Sequence, residues 1–103
     1  MIVTLKVYMA TLEEGLEMRN LDNILLNQDR DFNLSKAVEE LSELATVLTQ
    51  RLNSDESRIS DQMIIDEIGD VQIRIDVLKL MFGIKQVEER ICYKTKELID
   101  KHG

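Results

Sequence analysis

No proline and no tryptophan occur in the 103 residues, and there are only one cysteine, one histidine and four glycines. Each shortage excludes something. A lone cysteine, Cys92, cannot form an internal disulfide and fits a reducing compartment, where it reads as an ordinary semi-buried apolar residue. A lone histidine, His102, cannot build a His/Cys zinc site, and the Glu-x-x-His pattern of di-iron bundles is missing. Aromatic residues for stacking are few: Tyr8, Phe32, Phe82 and Tyr93. No apolar run approaches the roughly 20 residues that span a bilayer. Met1 to Ala10 is too short and too poorly patterned for a signal peptide. The expectation is a soluble, cytoplasmic protein with no membrane partner.

Positive charge is also short. Thirteen Lys and Arg stand against twenty Asp and Glu, a net charge of −7. Nucleic acid rewards a basic surface, so it is not expected as a partner. An acidic protein that handles phosphates needs metal ions, locally clustered Lys and Arg, or both. The length allows one domain, residues 1–103, and leaves enough uncovered apolar area for self-association.

What is abundant is Leu, Ile, Glu, Lys and Met, which favours helix over strand. Four helical stretches follow. The first spans about Thr11 to Leu26, while Met1 to Val7 alternates weakly and reads as strand, coil or an early helix start. The second runs from near Leu34 to near Leu52, with Ser35 or Asn33 as its cap. Its apolar stripe is Leu34, Ala37, Leu41, Leu44, Ala45, Leu48 and Leu52. A polar turn, Asn53 to Arg58, leads into a third helix from about Ser60 to Phe82, stopped by Gly83. The last covers about Lys85 to Lys101, with Val87, Ile91, Leu98 and Ile99 facing inward. The third helix is apolar nearly all round: Ile64, Ile68, Val71, Ile75 and Phe82 form one stripe, and Met63, Ile73, Val77, Leu80 and Met81 another. Such a helix is buried on more than one side. The expected fold is all-α, helical hairpins forming a four-helix-bundle core completed by oligomerisation, as a homodimer or homotetramer.

Acidic residues punctuate two of these helices. Glu39, Glu40 and Glu43 form E-E-x-x-E in the second, and Glu67 and Asp70 form E-x-x-D in the third. Helical residues three or four apart share a face. The pairs Glu40/Glu43 and Glu67/Asp70 are equidistant from Asp55 in the turn, so an antiparallel hairpin brings them level. Glu67 and Asp70 also share a row with Met63, Arg74, Val77 and Met81, which a solvated face would not be expected to show. The E-E-x-x-E half alone is a weak signal and reads first as a charged outer face. If the pairs do converge, two carboxylates ~4 Å apart repel by about 4 kcal/mol at an effective dielectric near 20. The cluster then takes up protons or holds a divalent cation. All donors are oxygen, which suits Mg²⁺ or Mn²⁺, and Mg²⁺ completes its shell with substrate phosphates.

Lys36-x-x-Glu39-Glu40-x-x-Glu43-Leu44, then 23 residues between Glu43 and Glu67, then Glu67-x-x-Asp70-Val71, resembles the signature of MazG-like all-α nucleotide pyrophosphohydrolases. Ile73 through Gly83, Ile84, Val87, Lys94 and Lys96 resemble the following stretch of short bacterial and phage members. The resemblance covers roughly residues 34 to 98. Ser42 and Gly69 stand where the family usually has Gly and Ala, and the N-terminal third lacks a tryptophan that some members place against the base. The resemblance implies Mg²⁺-dependent hydrolysis of a nucleoside triphosphate, a dNTP in particular, to monophosphate and pyrophosphate. It implies Glu40, Glu43, Glu67 and Asp70 as metal ligands and Glu39 as a residue that orients or deprotonates water. Lys36, Arg74 and Lys94 are candidates to steady the phosphates, with Lys36 grouped with Glu39 as a catalytic candidate. For Lys36 and Arg74 the plain alternative is a local i,i+4 ion pair worth about 0.3–0.5 kcal/mol; for Lys94 it is surface charge. Phe32 is the best-placed aromatic but also suits core packing, so the base-binding residues stay open. The competing function is a non-catalytic helical interaction module with an acidic, cation-binding cluster.

Overall fold

Asp29 starts the first fully described helix and Ser60 the next, each in extended backbone and each accepting a hydrogen bond from a first-turn amide. Asp29 accepts from the Asp31 N–H at 3.3 Å, and the Ser60 hydroxyl from the Met63 N–H at 3.2 Å. The computed structural model describes Leu21 and residues 28–54 and 58–102. All regular structure among them is helical: α1 is Arg30–Asn53, α2 is Asp61–Phe82 and α3 is Ile84–His102. Apart from Leu21, which is helical, the expected helix from Thr11 to Leu26 lies outside the described residues, as do the reading of Met1 to Val7 and the centre of the polar turn. Helix α1 begins earlier than expected because Asp29, not Asn33 or Ser35, is the cap; Asn33 is inside the helix and 2% exposed.

The α1–α2 hairpin is held in register by Arg51. From the last turn of α1 its guanidinium donates to the Ile59 carbonyl at 2.8 Å and to the Asp61 carboxylate at 2.9 Å. Arg51 and Ile59 are equidistant from residue 55, the centre expected from the acidic pairs. One row of each helix is withdrawn from solvent: Asn33, Ala37, Glu40, Leu44, Val47 and Arg51 on α1, and Ile64, Glu67, Val71, Arg74, Leu78 and Met81 on α2. Steps of three and four residues keep each row on one helical face. This seam is unusually polar. Of the apolar stripe expected on α1, Ala37 and Leu44 enter the seam, whereas Leu41, Leu48 and Leu52 are 45%, 42% and 85% exposed.

Helix α2 is buried more completely toward its end. Every residue from Arg74 to Met81 is at least partly withdrawn, and Val77 is the deepest side chain. This bears out burial on more than one side for that half. Ile65, Ile68, Ile73 and Phe82 stay exposed. At Gly83 the backbone takes φ +127°, a conformation L side chains resist, and its N–H closes α2 by donating to the Lys79 carbonyl at 2.9 Å. Helix α3 then makes little contact with α2, and Lys79 pairs with Glu88 across the junction. Val87 is half-buried, but Ile91, Leu98 and Ile99, expected to face inward, are exposed; no described helix lies over them.

Replacing Arg51 with Ala removes two hydrogen bonds that bridge α1 to the start of α2. The expected cost is about 1–2 kcal/mol, read as a lower urea midpoint at unchanged slope.

Candidate metal centre

Two rows that an ordinary hairpin would fill with leucine instead carry Glu40 and Glu67. The antiparallel register sets Glu40 level with Asp70 on the solvent side, and Glu67, one turn before Asp70, reaches the same point from within the seam. One carboxylate oxygen from each of Glu40, Glu67 and Asp70 lies within 4.8 Å of the others. Glu40 and Glu67 are partly withdrawn and Asp70 is exposed, so the group has a closed side in the seam and an open side at Asp70. Oε2 of Glu40 and Oε2 of Glu67 are both shut off from solvent without a hydrogen-bond partner. A buried carboxylate oxygen with no donor is costly, and two at one point are costlier.

The charge on Glu40 registers this. Its carboxyl is held above the ordinary carboxylate range, first by loss of water. The charges of Glu43 and Asp70, a hydrogen bond shared with Glu43, and the charge of Glu39 all push the same way. Glu43 is exposed and stands outside the three-oxygen group, beside Glu40 on the same helix.

The other sequence candidates fall in three places. Glu39 faces outward and is paired with Lys36 at 3.1 Å; Lys36 also sits 5.8 Å from the centre of the Phe32 ring. The local ion pair at Lys36 therefore forms, with Glu39 three residues on rather than Glu40 four on. Arg74 lies in the seam one turn from Asp70, partly withdrawn, and among the described residues it makes no ion pair or hydrogen bond. By register it is level with Lys36 across the hairpin. Lys94 pairs with Glu97 at 3.4 Å on α3, a helix that makes no contact with α1. The seam thus brings together Glu40, Glu67 and Asp70, with Glu43 alongside and Arg74 next in line, but leaves Lys94 apart.

The donor set fits a hard divalent cation. Around Mg²⁺, oxygens at 2.0–2.1 Å are at most about 4.2 Å apart, and around Ca²⁺ at most about 5.2 Å. Three oxygens within 4.8 Å of one another suit Ca²⁺ as they stand and Mg²⁺ or Mn²⁺ after inward shifts of a few tenths of an ångström. No protein-family model, curated protein or solved structure matches the chain. Two features of the seam escaped the sequence reading: Arg51 as the register clamp and Asn33 as a buried amide. The signal for both was the seven-residue spacing Asn33–Glu40–Val47 and Ala37–Leu44–Arg51, a heptad row hidden by its mixed polarity.

Adding Mg²⁺ or Mn²⁺ at about a hundredfold over Kd should stabilise the protein by roughly 2.7 kcal/mol, an upward melting shift on the order of 10 °C. Glu40→Gln should abolish that shift, yet melt no lower than the wild type in EDTA, because it relieves like-charge repulsion. The pH dependence follows from the raised Glu40 carboxyl. The metal-free folded state takes up this proton more readily than the unfolded chain. Its stability should therefore rise as pH falls from neutrality through the raised value, and drop as pH climbs back. The gain from metal should run the opposite way, since the cation needs the carboxylate. Melting curves with and without EDTA across that window check both signs.

Proposed function

We propose that this chain is a Mg²⁺-dependent nucleoside triphosphate pyrophosphohydrolase of the MazG-like kind, acting on a dNTP in a cytoplasmic setting. The observation that carries the reading is the meeting of Glu40, Glu67 and Asp70, with two buried carboxylate oxygens that lack donors. Carboxylates gathered this way are a poor stabilising device and a good cation cage. A divalent ion held there supplies charge neutralisation for the triphosphate and lowers the pKa of a water.

The chain's own residues do the rest. Arg74, next to the carboxylates and without an anion of its own among the described residues, binds phosphate oxygens. Lys36, level with it, can release Glu39 and join it; an exposed pair of this kind is worth well under about 1 kcal/mol. Glu39, so released, orients the attacking water and accepts its proton. Water adds across the α–β anhydride: the new P–O bond forms as the bridging P–O bond breaks, leaving a monophosphate and pyrophosphate. Glu43 supports Glu40 as a neighbouring ligand. Incubation with a panel of dNTPs and Mg²⁺ should release pyrophosphate, and Glu40→Gln or Asp70→Asn should lower the rate by about 100-fold or more. Full activity in either variant, or no pyrophosphate from any nucleotide, would contradict the reading.

The second reading is a non-catalytic helical module whose acidic group binds a cation. It is favoured by the local engagement of Lys36 with Glu39 and Lys94 with Glu97. Turnover separates the two.

The same proposal includes assembly. Leu41, Leu48 and Leu52 on α1 and Ile65 and Ile68 on α2 are exposed, and each is worth about 1.5–3 kcal/mol when buried. Two hairpins pairing through such faces would make the four-helix core, as a homodimer or homotetramer. Among the described residues no helix is long and apolar enough to cross a membrane, so these faces are not spanning surfaces. Sedimentation at micromolar concentration should show an oligomer, with Leu48→Glu shifting it toward monomer. A wild type that sediments only as monomer contradicts the assembly.

A further inference from the structure

The end of the hairpin away from its turn holds a small cavity of about 200 Å³, lined by Gln28, Arg30, Asn33 and Met81. Its chemistry is unlike that of the carboxylate group. Two neutral amides face it, with a thioether and an arginine whose guanidinium lies 5.2 Å from the centre of the Phe82 ring. Asn33 is 2% exposed, and its Oδ1 is buried without a hydrogen-bond donor. A buried amide carbonyl left so favours any ligand that supplies the missing donor. Rotation of the amide exchanges oxygen and nitrogen, so the same side chain can accept or donate. Drug-sized ligands need about 300–1,000 Å³. A single flat heterocycle is the size that fits.

We infer that this cavity is a nucleobase subsite in which the Asn33 amide reads the hydrogen-bonding edge of the base. The order of groups along the seam supports the assignment, which rests on the proposed nucleotide substrate. Asn33 is two helical turns before Glu40, about 10 Å along the axis. Lys36 and Arg74 occupy the level between. Amide pocket, then cations, then carboxylates is the order of base, phosphates and metal in a bound nucleoside triphosphate. Neutral amides suit an uncharged ring bearing adjacent donor and acceptor atoms, and the one cation of the lining, Arg30, is stacked on the Phe82 ring. Asn33 is thus a specificity-determining residue for the base.

The test measures equilibrium binding of the eight common nucleosides and deoxynucleosides, without phosphates and in EDTA, to the full chain. Wild type should prefer one base, and Asn33→Leu should weaken that nucleoside about tenfold or more while compressing the preference among bases. Gln28→Leu, at an exposed position, should weaken it in the same direction without a folding penalty. Melting curves confirm that Asn33→Leu folds. Equal affinity for all nucleosides in the wild type, or unchanged preference in both variants, overturns the subsite. Pyrophosphate release is scored separately: base-selective binding without turnover sinks the hydrolase but keeps the pocket, and turnover without base selectivity does the reverse.

Discussion

The seam between α1 and α2 carries carboxylates where a helical hairpin usually carries leucines, and the rest of the molecule follows from that choice. Glu40 and Glu67 are set inward by the same three-and-four spacing that sets Ala37, Leu44, Val71 and Leu78 inward. Repulsion between them has to be relieved by a proton or a cation. The raised Glu40 carboxyl is the first response and the oxygen cage is the opening for the second. Charges at a helix seam are seldom a net source of stability, so their presence points to use rather than to folding.

A polar seam has a structural consequence. Leucines that would close an ordinary hairpin are displaced sideways, and the faces bearing Leu41, Leu48 and Leu52 are left open. Stability is instead concentrated in a few places: the Arg51 clamp, the buried Ile59 at the turn, and the tightly surrounded end of α2 around Val77. The proposed function and the proposed assembly would then both follow from one sequence choice: acidic residues take the inner row, and apolar residues are left exposed.

Much of this was legible in the residues, for identifiable reasons. The bounds of α2 could be read because Ser60 and Gly83 are strong start and stop signals whose physics is local. Levelness of the acidic pairs could be read because an antiparallel hairpin has one degree of freedom along its axis, its centre, and the turn fixes it. The start of α1 was misread because Asn33 has the chemistry of a cap, while Asp29 performs it four residues earlier. Burial of Asn33 was illegible, since a polar residue at a heptad position looks the same whether or not a cavity adjoins it. Ile91, Leu98 and Ile99 show the other limit. Their spacing marks a face to be covered, but periodicity cannot say by what, and the described helices leave them exposed.

The central claim is that the seam carboxylates share one hard cation. Crystals grown with Mn²⁺ and measured at its absorption edge test it most directly. The account predicts an anomalous peak within coordination distance, about 2.2 Å, of oxygens from Glu40, Glu67 and Asp70. A seam with no peak at saturating Mn²⁺, and with these side chains hydrogen-bonded to one another through shared protons, would contradict it.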